Sequence, residues 1–282
     1  MTVSTASSID YVLGNTRTEH ERLHRQSRLL APITRHWLEA IGLRPGMRIL
    51  DVGSGVGDMA LLLASIAGPT AEIVGVDLDE SALAVAHRRA AEQGFHQIKF
   101  HVSNFRLYQP DRPFDAVIGR CVLVHQPDPV AALEALTKHL RRDGIIAFQE
   151  PWFSQTICYP RMPLLDDLMG WIAATFKAAG LDPDLGGRLP SIFVEAGLPE
   201  PELCFENRLD CRANLEICEL GADTVRSLLP TMERLGIVTR EVAQPHSLAG
   251  SLRAQAIELD CVLGVMPMVG AWSESTPGLR PR

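Results

Sequence analysis

The sequence predicts an α/β fold in which helices cover both faces of a parallel sheet. Between residues 47 and 149, short apolar segments of strand length alternate with longer segments of helical periodicity. Such alternation is typical of parallel sheets whose strands are joined by helices. The composition agrees, because 46% hydrophobic and 22% charged residues are ordinary values for a globular protein.

The N-terminal region predicts a helical cap, which we assign to residues 1–45. Leucine and isoleucine recur at helical spacing over residues 16–42, which predicts one or two helices. Pro32 would either start a second helix or kink the first. Residues 1–10 predict a loose tail.

Strands and helices then alternate in a core that we assign to residues 46–150. The predicted strands cover residues 47–52, 73–76, 98–102, 114–118 and 145–149. The predicted helices cover residues 59–67, 81–94 and 129–140.

Beyond residue 150 the alternation weakens, and residues 151–282 are expected to complete the sheet and to add helices around a pocket. The predicted helices cover residues 164–179, 190–196, 215–235 and 248–259, and the predicted strands residues 202–209 and 261–271. No composition change marks a linker, so we expect one structural domain.

Charge and cysteine content argue against several classes of function. A net charge of -7 disfavours binding to nucleic-acid phosphates, which needs a basic surface. The longest apolar stretch, residues 261–272, is about half as long as a membrane helix, and residues 1–10 lack the pattern of a signal peptide. We therefore expect a cytoplasmic protein without stable membrane insertion. The six cysteines form no C-x-x-C pair, so neither a zinc nor a redox motif is predicted.

The segment Ile49–Asp58 joins the first predicted strand to a helix and carries glycine at positions 53, 55 and 57. Alternating glycines let the chain turn sharply and let a ligand lie against the bare backbone. The helix that follows offers unpaired N–H groups, so the loop suits a nucleotide or a nucleoside. Asp51 stands just before the first glycine, where it disfavours a phosphate and would accept hydrogen bonds from an ammonium group.

The second strand ends at Asp77, 20 residues after Gly57. A carboxylate at this spacing can accept hydrogen bonds from both ribose hydroxyls. Asp79 is a neighbouring alternative for the same role. Together with Asp51, this pattern indicates a ligand that has a sugar and an amino-acid tail.

Four segments together resemble class I S-adenosylmethionine-dependent methyltransferases: Asp51–Gly57, Val74–Asp77, Phe114–Arg120 and Leu140–Gly144. They stand in the order and spacing of that family over about residues 45–150. His125–Pro129 is similar to the small-molecule branch that includes enzymes of ubiquinone and menaquinone biosynthesis. The resemblance implies a Rossmann-like, seven-stranded, mostly parallel sheet with a helical cap. It also implies S-adenosylmethionine as the cofactor and S-adenosylhomocysteine as the product.

The resemblance assigns the methionine end of the cofactor to the glycine loop. Gly53, Ser54 and Gly55 would face the methionine moiety, with Asp51 near its ammonium group. Gln26, on the N-terminal helix, is a further candidate contact to the methionine tail.

The adenosine end would lie against the loops after the second and third strands. Asp77 would bind the ribose and Leu78 would pack on the adenine, while Asn104 and Phe105 would sit at the adenine edge. The family often has aspartate where Asn104 stands, but asparagine can still accept and donate hydrogen bonds.

Residues at the carboxyl ends of the fourth and fifth strands are candidates for the reaction itself. Arg120 and Val122 would line the sulfonium side of the cofactor. His125 is the best candidate base, and Glu150 would orient the substrate or shape the pocket, although both also fit structural roles. A base is optional in methyl transfer, because the cofactor already carries the reactive group.

The acceptor is expected to be a small apolar or aromatic molecule, such as a natural product or a quinone. Residues 151–260 are rich in large apolar side chains, and Trp152, Phe153 and Tyr11 are candidate walls, with Tyr11 on a segment that could act as a lid. The acceptor's identity and the methylated element, O, N, S or C, stay open. Helical caps often mediate dimers in such enzymes, so a homodimer is compatible with the sequence.

Three other functions remain as alternatives. An NAD-dependent oxidoreductase is disfavoured by the G-x-G-x-G spacing and by Asp51. A non-catalytic binder of S-adenosylmethionine would show the same loop. A protein or RNA methyltransferase is disfavoured by the acidic charge and by the lack of an N/D-P-P-Y tetrad after the fourth strand. His20 and His24 are four residues apart, a spacing that can bind metal, but no third ligand is evident and no metal is predicted.

Overall fold

The computed structural model describes residues 17–211 and 215–275, and Tyr11 lies outside them. The helices within these ranges are α1 (Arg17–Ala40), α2 (Asp58–Ala67), α3 (Glu80–Glu92), α4 (Pro129–Thr137), α5 (Pro163–Ala178), α6 (Leu185–Glu195), α7 (Glu216–Arg234), α8 (Arg240–Ala243) and α9 (Leu248–Glu258). The strands are β1 (Arg48–Val52), β2 (Glu72–Asp77), β3 (Ile98–Val102), β4 (Phe114–Arg120), β5 (Leu140–Pro151), β6 (Cys158–Tyr159), β7 (Glu202–Glu206), β8 (Leu209–Cys211), β9 (Val262–Gly264) and β10 (Met268–Glu274).

Seven strands form one sheet in the order β3-β2-β1-β4-β5-β10-β7. The strands from β3 to β5 are parallel, and β10 runs antiparallel between β5 and β7. This confirms the predicted seven-stranded, mostly parallel sheet. A second, three-stranded sheet has the order β6-β9-β8.

Strand β1 is buried along its whole length because the sheet is covered on both faces. Leu50 and Val52 belong to a core cluster with α5, α6 and α7, while Ile49 joins a second cluster with α2 and α3. Side chains that alternate along β1 thus enter two different cores. None of the helices in the described ranges combines the length and the apolar character that crossing a membrane requires.

Several predicted elements differ in their bounds, and the predicted strand over residues 202–209 divides into β7 and β8, which belong to different sheets. The N-terminal pattern forms one helix, α1, and Pro32 is accommodated inside it because Leu29, Leu30 and Ile33 anchor that turn in a core cluster. Helix α6 begins five residues before Pro190 and includes it. The predicted last strand divides into β9 and β10, which belong to different sheets, and Pro267 between them has no N–H with which to continue a ladder.

The fold brings several chain segments to one edge of the main sheet. Strands β1, β2, β4 and β5 are neighbours or near neighbours, and all four end at this edge. In open α/β sheets, ligands bind at the carboxyl ends of the strands. We therefore expect a ligand site in the loops that follow these four strands.

Candidate active site

A cavity of about 570 Å³ opens at the carboxyl edge of the sheet. This volume is within the range of small-molecule sites. What we call the polar end is lined by the loops after β1 and β2 and includes Asp51, Gly53, Ser54, Gly55, Asp77, Leu78 and Asp79. What we call the apolar end is lined mainly by α5 and α7 and includes Phe153, Leu165, Leu168, Met169, Ile172, Phe176, Ile217 and Leu220.

The glycine loop has a backbone that other residues would not tolerate. Gly53 and Gly57 have φ angles of 64° and 84°, in the left-handed region. A Cβ atom on Gly53 would lie 2.8 Å from Cγ2 of Val122, and one on Gly57 would lie 2.8 Å from Cβ of Ala86. The loop therefore needs glycine both for its dihedral angles and for its close packing.

Asp51 is buried at the polar end, where its carboxylate accepts a hydrogen bond of 2.6 Å from the Ser54 hydroxyl. Burial raises the pKa of Asp51 to about 7, although the Ser54 hydrogen bond and the charge of Arg120 work in the opposite direction. Near neutral pH this carboxyl is consequently partly protonated. A ligand ammonium beside it would favour the ionised form.

Asp77 lies next to the glycine loop and is tied to it. One carboxylate oxygen accepts a hydrogen bond from the Gly55 N–H at 2.8 Å, and the other accepts one from the Asp79 N–H at 2.9 Å. Burial raises the pKa of Asp77. Each carboxylate oxygen has a second lone pair, so two vicinal hydroxyls of a ligand could still bind.

Asp79, the alternative to Asp77, has another role as the N-cap of α3. Its carboxylate accepts hydrogen bonds from the N–H groups of Ser81 and Ala82 at 2.9 and 3.1 Å. It also lies 3.2 Å from Nε2 of His20 on α1. Through these contacts Asp79 caps α3 and links it to α1.

The predicted adenine contacts are only partly on the cavity wall. Leu78 is 67% exposed and lines the cavity together with Ser103 and Phe105. Asn104 is not among the lining residues, because its side-chain oxygen turns back to accept a hydrogen bond from the Arg106 N–H at 2.9 Å. Ser103, the residue before Asn104, lines the cavity instead.

Arg120, Val122 and Gln26 all line the cavity, and their contacts with the cofactor stay predictions. Arg120 donates hydrogen bonds to the hydroxyls of Thr34 and Ser27 on α1, at 3.1 and 3.2 Å. Strand β4 is thereby linked to the helix that covers the site.

Glu150 does not line the cavity, so of its two predicted roles its position fits shaping the pocket and not a contact with the substrate. Its buried carboxylate accepts hydrogen bonds from the consecutive N–H groups of Val122, Leu123 and Val124, at 3.0, 2.9 and 3.2 Å. Burial raises the pKa of Glu150 to about 7, against the lowering effect of these hydrogen bonds. Its place in the fold is to hold the loop after β4.

His125 lines the cavity and is half-buried, with its ring 5.7 Å from that of Phe176. Burial, followed by the charge of Arg22, lowers the pKa of His125 to about 3. The ring is therefore neutral near pH 7 and is a weak base. At this position the ring can pack and form hydrogen bonds, but it would be poor at removing a proton.

Of the predicted aromatic walls, Phe153 lines the cavity and Trp152 does not. Phe153 meets Phe176 edge-on, with ring centroids 5.6 Å apart. Trp152 instead packs edge-on against Phe205 at 6.4 Å and lies so close to Gly187 that a Cβ atom there would be 2.9 Å from its ring. Trp152 stands just before a short 3-10 turn that Phe153 begins, and this change of backbone direction separates the two aromatic residues.

Sequence reasoning named Gln26 but missed Glu19 and Arg22, which form a buried polar cluster with it on α1 and also line the cavity. Arg22 donates hydrogen bonds to both carboxylate oxygens of Glu19, at 2.8 and 2.7 Å, and to the side-chain oxygen of Gln26 at 2.6 Å. Gln26 in turn lies 3.9 Å from the sulfur of Cys121. Spacings of three and four residues place these side chains on one helical face, but that signal alone could not distinguish a cavity wall from a solvated face.

The two histidines with metal-like spacing each face an acid. His20 is paired with Asp79, and His24 lies 3.8 Å from Asp58. Over residues 17–211 and 215–275, no three His, Cys, Asp or Glu side chains are grouped in a way that could hold a metal ion.

Comparison with known proteins identifies related sequences. A family model described as a methyltransferase domain matches residues 43–196. The chain is 33% identical over 122 residues to a ubiquinone/menaquinone biosynthesis C-methyltransferase of Ectopseudomonas mendocina, a match that covers 42% of this chain and 48% of that protein. The corresponding protein of Pseudomonas fluorescens is 29% identical over 178 residues, which cover 58% of this chain and 69% of that one. The chain thus spans about half the length of the first of these relatives.

A solved structure supports the fold. Phosphoethanolamine N-methyltransferase 2 of Haemonchus contortus, determined with phosphomonomethylethanolamine and S-adenosylhomocysteine, superposes with a TM-score of 0.58. The match covers 97% of this chain and 61% of that one at 15% sequence identity. At this identity the likeness concerns the fold alone.

Proposed function

This chain belongs to the class I S-adenosylmethionine-dependent methyltransferase family, and on that premise we propose that it methylates a small apolar or aromatic molecule. The cofactor of the family is S-adenosylmethionine, in agreement with the expectation from the sequence. One observation carries the proposal: a single cavity joins a polar end suited to this cofactor to an apolar end suited to an acceptor.

The residues of the polar end fit S-adenosylmethionine in charge and in shape. The glycine loop offers backbone without side chains, and Asp51 would stabilise the methionine ammonium. Asp77 would accept hydrogen bonds from the ribose hydroxyls, and the exposed side chain of Leu78 would pack on the adenine. A pyrophosphate beside Asp51 and Asp77 would meet two carboxylates, so NAD fits less well.

The apolar end supports an acceptor with an apolar body. Its walls are leucine, isoleucine, methionine and phenylalanine side chains from α5 and α7. The hydroxyls of Thr156 and Thr224 also line the cavity, but each donates to a backbone carbonyl at 2.8 Å. Desolvating a strongly polar acceptor here would cost free energy that few partners could offset. A quinone-like or other aromatic natural product fits these walls.

Bound S-adenosylmethionine supplies a methyl group that is already activated on a sulfonium centre. The chain's own residues then orient the acceptor and exclude water. Glu150 fixes the loop that carries Val122 and His125, and the neutral ring of His125 can form a hydrogen bond with the acceptor. Helix α1 covers the site through the contacts of His20 with Asp79 and of Arg120 with Ser27.

Calorimetry followed by an activity assay tests the proposal. S-adenosylhomocysteine should bind with micromolar affinity, and NAD should not bind at the same concentrations. With methyl-labelled S-adenosylmethionine, aromatic and isoprenoid acceptors should become labelled in preference to polar amines and alcohols. Labelling of polar acceptors alone would refute the proposed acceptor class, and absence of cofactor binding would refute the function.

We also propose that the enzyme acts in the cytoplasm, on a small molecule, without a nucleic-acid partner and without stable membrane insertion. The net charge of -7 supports the absence of a nucleic-acid partner, because binding to phosphates needs a basic surface. We propose a homodimer because the outer face of the second sheet exposes Tyr159, Leu209 and Val262. Light scattering on the purified protein measures the number of subunits directly.

A further inference from the structure

Among the residues that the structure describes, two arginines line the cavity, and they come from different elements of the fold. Arg120 is the last residue of β4 and is one of the groups whose charge lowers the pKa of Asp51, at the cofactor end. Arg22 is on α1, which packs against α7 of the apolar end: Leu30 shares a core cluster with Leu220, and Arg25 pairs with Asp223. The charge of Arg22 also adds to burial in lowering the pKa of His125. Arg120 therefore belongs with the acid that would face the methionine ammonium, and Arg22 belongs with the histidine beside the apolar end.

Burial and hydrogen bonds hold the side chain of Arg22 in a defined position. Its side chain is only 3% exposed, and that of Glu19, which it binds through two parallel hydrogen bonds, is 1% exposed. Gln26 accepts a third hydrogen bond from it. A buried guanidinium is costly unless it is paired, and a bidentate carboxylate holds it in one orientation.

We propose that Arg22 selects acceptors that carry an anionic oxygen, either a carboxylate or an ionised phenol. The inference rests on the proposed function and adds one charged feature to the apolar acceptor. The apolar body would lie against α5 and α7, where Phe153 and Phe176 form an aromatic wall. The oxygen would lie toward α1, where a buried positive charge attracts an anion more strongly than it would in water.

Glu19 acts as a positioning residue in this arrangement. Its carboxylate orients the guanidinium, and its negative charge also weakens the attraction of Arg22 for an anionic ligand. Removing the charge of Glu19 while keeping its shape should therefore strengthen the binding of anions. Removing the charge of Arg22 should do the opposite, so the two variants have effects of opposite sign.

Binding of two matched probes tests the proposal without requiring that either be a substrate. The probes are 2-naphthoate and 2-naphthamide, which share an apolar body and differ in charge, and they are titrated by calorimetry into protein saturated with S-adenosylhomocysteine. Arg22→Gln should reduce the preference for the naphthoate about tenfold or more, in line with the loss of a charge-assisted hydrogen bond. Arg22→Lys should retain part of the preference, and Glu19→Gln should increase it. Arg25→Gln is the matched control, because Arg25 is also on α1 and pairs with Asp223 away from the cavity.

The affinity for S-adenosylhomocysteine distinguishes a role of Arg22 in binding the acceptor from a role in binding the cofactor. Arg22→Gln should change that affinity by less than about threefold, whereas Arg120→Gln should weaken it clearly. If Arg22→Gln weakens cofactor binding and leaves the probe preference unchanged, Arg22 holds the cofactor and the inference is wrong. An unchanged preference in both Arg22→Gln and Glu19→Gln also overturns it. Failure of the proposed function itself would appear differently, as wild-type protein that binds no S-adenosylhomocysteine.

Discussion

The carboxylate of Glu150 accepts a hydrogen bond from the backbone N–H of Val122 at 3.0 Å, so the end of β5 fixes the loop that follows β4. Val122 lies against Gly53, on the wall of the cavity. A carboxylate that touches no ligand can therefore control the shape of the cofactor end.

Replacing Glu150 with glutamine should lower the free energy of unfolding by about 1–3 kcal/mol. The new amide group would face the N–H of Val124 and leave a buried donor without an acceptor. Chemical denaturation measures the change, and Glu134→Gln on the exposed side of α4 is the control. A Glu150→Gln protein as stable as the wild type would show that the carboxylate does not hold this loop.

The stability of the unliganded protein should fall as the pH rises from about 4 to 7. Burial raises the pKa values of Asp51 and Glu150 from 3.8 and 4.5 to about 7. Between these limits the folded protein binds more protons than the unfolded chain, so raising the pH favours unfolding. Each unit of pKa corresponds to about 1.36 kcal/mol, which predicts a loss of roughly 3–4 kcal/mol for each acid.

Urea denaturation at pH 5 and pH 8 measures this dependence. Asp51→Asn should remove the contribution of Asp51, while Asp167→Asn, at an exposed position on α5, should leave the dependence unchanged. If the free energy of unfolding changes equally between pH 5 and pH 8 in the wild type and in Asp51→Asn, then Asp51 titrates near its ordinary pKa.

Asp77→Ala should reduce the affinity for S-adenosylmethionine about 100-fold or more. The change removes the acceptor of two ribose hydrogen bonds and also leaves the N–H of Gly55 without its partner. Asp79→Ala is the informative comparison, because it removes the N-cap of α3 and should cost about 1 kcal/mol of stability with a smaller loss of affinity. Unchanged binding by Asp77→Ala would refute the ribose role.

Gly53→Ala should weaken cofactor binding and destabilise the loop for two separable reasons. The new methyl group would meet Val122 at 2.8 Å, and the φ of 64° disfavours alanine by about 1 kcal/mol. Adding Val122→Ala should relieve the clash but not the backbone strain, so the double variant should recover only part of the lost affinity. Full recovery would show that the backbone conformation is unimportant.

The fold and the cofactor end could be predicted from sequence because their signals are local. A glycine loop, the acid before it and the acid at the end of the next strand stand within 30 residues, and parallel strands bring them to one edge. Gly53, Asp51 and Asp77 all line the cavity, while their contacts with the cofactor stay predictions.

The roles of Glu150, Trp152 and Arg22 depended on contacts that no local pattern contains. Sequence position places Glu150 and Trp152 at the correct edge, but the direction of each side chain depends on its place in the extended backbone. Glu150 turns to the loop after β4, and Trp152 turns to Gly187 on α6. Arg22 faces the cavity only because α1 crosses the site, which is a tertiary contact.

The pH profile of the reaction should not depend on His125. A pKa of about 3 keeps the ring of His125 neutral throughout the range from pH 6 to 8. The variant His125→Asn should therefore lower kcat/KM without shifting the pKa values in its pH profile. His96→Asn, on an exposed loop before β3, controls for loss of a histidine elsewhere. An ionisation near pH 6.5 that is present in the wild type and absent from His125→Asn would instead identify His125 as the base. Because kcat/KM reports ionisations of the free enzyme, the pKa of His125 would then lie near its ordinary value before the acceptor binds, and burial would not have lowered it.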